Sequence, residues 1–307
     1  MKKHWQGLFF LVGGLFGGAN ASDFEHTKDP NIESVFYQSI ATQTDSMNVV
    51  ARVERLSHLF MGAPYVGGNA GEGVDGQFDK DPLIRFDVFD CTTYVETVLA
   101  GIQSISAKSF KDNLIKIRYQ DGLVNFVQRN HFPSLDWLPN NRELLQDITD
   151  RVAQDQSQRA ITQIDRAAWY RHLSAKSIAC KQDCKPLLEK LHETGQHFQI
   201  AQADIPYVPL SALFLGPNKQ VNQALLDRIP SGSVINMVRP NWALKKWIGT
   251  NLNVSHQGLV LRQGGRLILR HASVTHQKVV DEDFIDYFAQ YDESSSLKGF
   301  NLQLVRL

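Results

Sequence analysis

Only three of the 307 residues are cysteines, and one of them, Cys91 in RFDVFDCTTYVETVLAGI, stands at the head of an apolar-periodic run. Tyr94, Val95, Val98, Leu99 and Ile102 recur at three- and four-residue spacing, with Thr92, Thr93, Glu96 and Thr97 between them, which predicts an amphipathic helix. A cysteine in the first turn of a helix sits among unpaired backbone N–H groups at the positive end of the macrodipole. Both favour a thiolate, so the expected shift of the thiol pKa is downward. The plainer role is a small core residue that opens the apolar stripe. Deciding between the two requires a base.

The base must be a histidine within hydrogen-bond reach, and NVSHQGLVLRQGGRLILRHASV supplies two. Two β-rich runs around a glycine turn predict a hairpin. With Gln263-Gly264 as the turn, His256 and His271 oppose each other directly. With Gly264-Gly265, His256 faces Ser273 and His271 becomes a diagonal neighbour on the same face. Either register keeps both imidazoles on one side of the sheet, whereas a bulge adding one residue would separate them. The pair alone is readable as two metal ligands or as a satisfied core pair. Beside a cysteine at a helix head, it reads as a base and its orienting partner. Asp90, just before the helix, is expected to act as N-cap.

These residues carry a family resemblance. Cys91 in FDCTTYVE, His256 in SHQG and His271 in RHAS resemble the cysteine, the histidine and the third polar residue of the NlpC-type papain-like cell-wall hydrolases. MGAPYVGGN, residues 61 to 69, resembles the tyrosine loop that precedes the nucleophile helix there. RYQDGLVNFVQRNHFPSLDWLPNN and IPYVPLSAL are similar to segments of the N-acetylmuramoyl-L-alanine amidase-like branch, so the likeness runs from about residue 50 to the C-terminus. The chain departs from the commoner superfamily pattern in having Cys-Thr-Thr in place of Cys-Ser-Gly. Cys91 also follows Tyr65 by 26 positions, and His256 follows Cys91 by 165.

The resemblance implies a cysteine amidase that cuts the bond between N-acetylmuramic acid and L-alanine in peptidoglycan fragments, without metal or other cofactor. Cys91 attacks, His256 moves the proton, His271 orients His256, and Tyr65 assists the oxyanion. The alternatives are a stem-peptide endopeptidase cutting D-glutamyl-diamino acid bonds, and a non-catalytic wall-binding protein of the same fold. Arg129, His131, Asp136 and Trp137, in VQRNHFPSLDWLPNN, are the candidate substrate-binding residues; a loop pinned by one tryptophan and one salt bridge would need the same composition.

Other motifs fall short. His192-Glu193 with His197 misses the H-E-x-x-H zinc signature by one residue, and G-x-S-x-G and the P-loop are absent. GGNAGEGVDG reads as a flexible rim, and His58 and His172 as ordinary packing or surface residues. Cys180 and Cys184 are spaced closely enough to pair with each other.

The elements that must position these groups fit one α+β domain, residues 22–307, of papain-like (NlpC-type) fold. Residues 32 to 60 read as helical and the segment after Pro230 as a largely antiparallel sheet. Between them lies a large insertion, at about 103–230, of short helices (in NRELLQDITDRVAQ and PLLEKLHET) and irregular segments. Residues 1–21 read as a signal peptide: Lys2 and Lys3, a short apolar run, then Ala19-Asn20-Ala21. Export to the periplasm or medium is therefore expected, and no membrane anchor. Removing that segment takes two lysines from the 32 basic residues and leaves 30 against 32 acidic ones. A near-neutral, dispersed charge gives no footing for nucleic acid.

Overall fold

A computed structural model describes residues 31–44 and 46–307; the proposed signal peptide lies outside these residues. The first part is helical: α1 (Ile32–Ala41), α2 (Val49–His58), α3 (Cys91–Ile102) and α4 (Ala107–Arg118). Among the described residues, eight strands form one mixed-order, antiparallel sheet. They are β1 (Leu145–Asp147), β2 (Gln158–Asp165), β3 (Ile200–Pro209), β4 (Ser233–Trp242), β5 (Leu252–Gln263), β6 (Arg266–Ser273), β7 (Lys278–Asp283) and β8 (Gly299–Val305). The order is β2-β3-β8-β4-β5-β6-β7, with β1 paired to β8.

The middle of the chain differs from the sequence expectation. QRAITQID and IAQADIPYVP alternate apolar and polar residues, and they pair as β2 and β3 from Gln158↔Tyr207 to Asp165↔Ile200, extending the main sheet. NRELLQDITDRVAQ is split. Leu145–Asp147 is drawn into strand pairing with β8, and only Thr149–Ala153 turns as a helix. Tertiary pairing with the C-terminal strand overrides local helix preference there. PLLEKLHET does form a helix, within Cys184–Gly195. Ahead of it, Arg166–His172 makes a further short helix, and Cys180 and Cys184 are joined in a disulfide with Cα atoms 5.7 Å apart.

The sheet separates two apolar cores. On one face Leu259, Leu261 and Ala272 pack with Phe36, Leu56, Tyr94, Val95, Val98 and Leu99 of the helical part. On the other, Val260, Leu267 and Leu269 pack with Phe284 and Phe288 of the C-terminal helix Phe284–Ala289. Strand alternation assigns the faces: Gln257, Leu259 and Leu261 point to α3, and His256 and Val260 point away.

α3 is almost wholly buried, including the side chain of Glu96. That carboxylate accepts from Arg118 Nε at 2.7 Å and from Trp137 Nε1 at 3.1 Å, and Arg118 also donates to the Leu83 carbonyl at 2.6 Å. One buried charge pair thus ties α3 to α4 and to the Trp137 segment, with every strong partner satisfied. Removing one member leaves the other charged and desolvated, at a cost of about 3–5 kcal/mol. Arg118→Met is accordingly expected to lower the thermal midpoint markedly in calorimetry; a midpoint unchanged within error would contradict this role.

Candidate active site

Asp90 ends the extended approach to α3 and caps it: its carboxylate accepts from the Thr93 N–H at 2.8 Å, while Thr93 Oγ1 accepts from the Asp90 N–H at 2.9 Å. This reciprocal box fixes Cys91 as the first helical residue. The next residue, Thr92, donates to Gln257 Oε1 on β5 at 2.8 Å. The sulphur of Cys91 is in hydrogen-bonding range of the Gln257 backbone N–H, which is the peptide joining His256 to Gln257. The helix head is thereby seated against the strand that carries His256.

The hairpin takes the Gly264-Gly265 turn. Gln263 pairs with Arg266 and Leu259 with Arg270, and the ladder between β5 and β6 ends there. Past that point His256 Nε2 meets His271 Nδ1 at 2.6 Å, with the rings edge to face. The two histidines are diagonal neighbours on the face toward Phe284–Ala289, and both are buried. Cys91 approaches from the α3 side at the level of the Gln257 amide. Gly258 lies between the histidines in sequence position: a Cβ there would stand 3.0 Å from His271 Cβ and 2.9 Å from Leu269 Cδ1. The glycine of SHQG is therefore required by the close approach of His271.

Tyr65 comes from the loop before α3 and is held by its N–H to the Gln277 carbonyl at 2.9 Å and a bridge to Phe89. Its phenol is pushed well above the usual tyrosine range by burial and by the proximity of Cys91 and Asp90, so it stays protonated and can donate.

The thiol departs from the sequence expectation. Burial, then the neighbouring Asp90 carboxylate, push Cys91 up to about 12, and the hydrogen bonds from Gln257 and Thr92 only partly offset this. Desolvation of the buried sulphur outweighs the helix N-terminus. His256 is driven the opposite way, well below its ordinary value, by burial, His271 and the Arg239 guanidinium. In the resting protein the Cys91 thiol and the His256 imidazole are therefore both neutral.

Cys91 opens onto a cleft whose walls include Tyr65, Asp79, Arg129, His131, Trp137, Trp169 and His172. Of the residues singled out for binding, Arg129, His131 and Trp137 reach this cleft and Asp136 does not. Asp136 pairs with Arg166 and accepts the Phe132 N–H at 3.2 Å, a structural role. Trp137 is fully buried with its indole N–H committed to Glu96, so it forms floor rather than an open platform. His131 is wedged between Phe126 and Trp169, with ring centroids 4.5 and 4.7 Å away. Its Nε2 pairs with the Phe126 carbonyl at 2.7 Å; burial and Arg129 hold its pKa down to about 3, so it is neutral. Arg129 donates to the Ala70 carbonyl and faces Asp79 at 3.9 Å. Burial, partly opposed by Arg129, raises Asp79 to about 6.

Three cleft features were not read from the sequence. Trp169 and His172 arrive from the helix Arg166–His172, and nothing local in RAAWYRH marks them. GGNAGEGVDG is not a flexible rim: Glu72 is buried, and its carboxylate accepts from the N–H groups of Phe78, Asp79 and Phe126 at 2.8, 2.6 and 3.1 Å. An acid inside a glycine-rich run is the signal that was available.

The family model for AmiA-like proteins, described as N-acetylmuramoyl-L-alanine amidase-like, matches residues 55–294. The chain belongs to the AmiA-like family. Among solved structures, LPG0564 from Legionella pneumophila is 34% identical, with a TM-score of 0.84 over 90% of this chain and 96% of that one. An N-acetylmuramoyl-L-alanine amidase from Bacteroides uniformis is 21% identical, with a TM-score of 0.58 over 84% of this chain and 99% of that one. A putative xylanase from Bacteroides fragilis is 23% identical, with a TM-score of 0.56 over 80% and 98%. These two likenesses bear on fold alone. No curated protein sequence matches the chain. Among the described residues of this AmiA-like chain, no helix is long and apolar enough to cross a membrane.

With the thiol raised and no charge on His256, alkylation of Cys91 by iodoacetamide should keep accelerating from pH 7 to pH 10. A rate that levels off near pH 6 would mean a preformed thiolate and would contradict the electrostatics described here.

Proposed function

We propose that this AmiA-like chain is a cysteine-dependent amidase of the NlpC-type papain-like superfamily, hydrolysing the amide between the lactyl group of N-acetylmuramic acid and L-alanine. The observation that carries the reading is Cys91 at a capped helix head on the cleft wall, seated against the peptide of His256, which is itself bonded to His271. The amidase-like family supplies the substrate class.

As a substrate carbonyl reaches the thiol, the Cys91 proton passes to His256 and sulphur bonds to the carbonyl carbon. The developing oxyanion faces the Cys91 N–H, which has no helical partner at this position, and the protonated Tyr65 phenol. The imidazolium then protonates the L-alanine nitrogen, the carbon–nitrogen bond breaks, and the peptide leaves a muramyl thioester on Cys91. Water activated by His256 hydrolyses it. A neutral resting pair suits this sequence: charge separates only when an electrophile is in place, and sulphur is otherwise kept from oxidants.

Arg129 offers a cation for a substrate carboxylate, and His131 and Trp169 offer aromatic surface beside it. Asp136 acts through its ion pair with Arg166, as a support of the His131 loop. The catalytic unit is residues 22–307 as one domain, exported to the periplasm or medium by residues 1–21, with muropeptide or peptidoglycan as partner and no cofactor.

Purified protein and Cys91→Ala, each incubated with a defined muramyl tetrapeptide and followed by mass spectrometry, test the reading. Free muramyl sugar plus intact tetrapeptide is expected from the wild type, with a loss of more than about a thousandfold in the variant. A muramyl dipeptide product would identify an endopeptidase instead, and uncleaved substrate would favour a binding protein.

A further inference from the structure

The His256–His271 pair does not end the chain of polar contacts. His271 Nε2 meets Glu282 Oε2 at 2.6 Å, and the other carboxylate oxygen lies 3.3 Å from His276 Nε2. β5, β6 and β7 are adjacent strands, with Leu269 opposite Glu282 and His271 opposite Val280. His256, His271 and Glu282 are thus stepped diagonally across three strands on one face. Neither neighbouring acid takes this place. Asp281 is turned to Arg270 on the α3 face at 2.7 Å, and Asp283 faces Arg266 at 4.0 Å. The Tyr287 ring stands edge-on over His271, centroids 5.6 Å apart, and walls the contact off.

We propose that Glu282 is a positioning residue for catalysis, fixing which ring nitrogens of both histidines carry protons and holding the charge that forms when His256 is protonated. The kinetic part of this inference rests on the amidase reading; the hydrogen-bond part does not.

Donor and acceptor capacities fix where the protons sit. An ionised carboxylate only accepts, so His271 Nε2 carries the proton. In a neutral imidazole the other nitrogen is then an acceptor, so His271 Nδ1 receives and His256 Nε2 donates. That leaves Nδ1 as the nitrogen of His256 with a lone pair, the one suited to take a proton from sulphur. Glu282 is about a quarter exposed. Burial works against its ionisation, but the hydrogen bonds from His271 and His276 hold it below the usual carboxylate range, so it remains an acceptor at neutral pH. When His256 becomes an imidazolium, its charge is opposed by burial, by any positive charge on His271 and by Arg239; a neutral His271 hydrogen-bonded to Glu282 is the compensating influence. The same carboxylate receives the half-exposed His276, which ties the β6–β7 turn to the series.

Glu282→Ala and Glu282→Gln, compared with wild type in turnover of the muramyl tetrapeptide and in NMR of ¹⁵N-histidine-labelled protein, test the proposal. Glutamine keeps an accepting oxygen without the charge; alanine keeps neither. The wild type should show a downfield, slowly exchanging His271 Nε2 proton that is lost in Glu282→Ala. The alanine variant should lose about tenfold or more in kcat with KM within roughly threefold, and Glu282→Gln should recover part of kcat, in line with the usual weight of an outer orienting partner. A kcat unchanged in Glu282→Ala despite loss of that proton, or a proton that persists without Glu282, would overturn it. Should the wild type show the proton yet cleave no muropeptide, the amidase reading fails while the hydrogen-bonded series stands.

Discussion

The seating of the α3 head against β5 is the constraint on which the rest of the site depends. Two contacts impose it: the Thr92 hydroxyl on the Gln257 side chain and the Cys91 sulphur at the Gln257 amide. Both can form only because Asp90 and Thr93 define where the helix begins, and because Arg118, Glu96 and Trp137 lock its far side. A shift of one residue in either the helix start or the strand register would turn the thiol away from the peptide of His256. The apolar stripe of α3, from Tyr94 to Ile102, supplies the adhesion, and the polar contacts supply the address.

The same enclosure that fixes geometry also sets the electrostatics. Cys91 and His256 are both nearly inaccessible, so each is shifted toward its neutral form, and the helix terminus does not reverse that. An exposed cysteine at a helix head would be an oxidisable thiolate at all times. In the proposed reaction ionisation is coupled to the arrival of a carbonyl, with Tyr65, held protonated, as the donor. The cleft beyond is built from a different part of the chain, with Arg129 and His131 from the loop after α4 and Trp169 and His172 from the helix Arg166–His172. In the proposed reading, chemistry and recognition reside on separate segments that meet at Cys91.

Much of this was legible in local pattern. The three- and four-residue spacing after Cys91 predicted α3, the glycine pair predicted the hairpin, and the diagonal His256–His271 arrangement was one of its two allowed registers. The N-cap role of Asp90 followed from residue type and position. What escaped was decided by contacts distant in sequence. Leu145–Asp147 became a strand because β8 lies beside it, and β2 and β3 joined the sheet through an alternation that was present but not read. Asp136 went to Arg166, thirty positions away. The upward shift of the thiol could not be read at all, since a helix start visible in sequence says nothing of how deeply it is buried.

The central claim is that the sulphur of Cys91 takes the muramyl side of the scissile amide. Rapid-quench mass spectrometry of the intact protein during turnover of the muramyl tetrapeptide addresses it directly. A hydroxylamine-sensitive adduct with the mass of the muramyl acyl group, located on the Cys91 peptide, is the predicted result. An adduct that includes stem-peptide residues, or turnover undiminished in Cys91→Ala, would contradict the account.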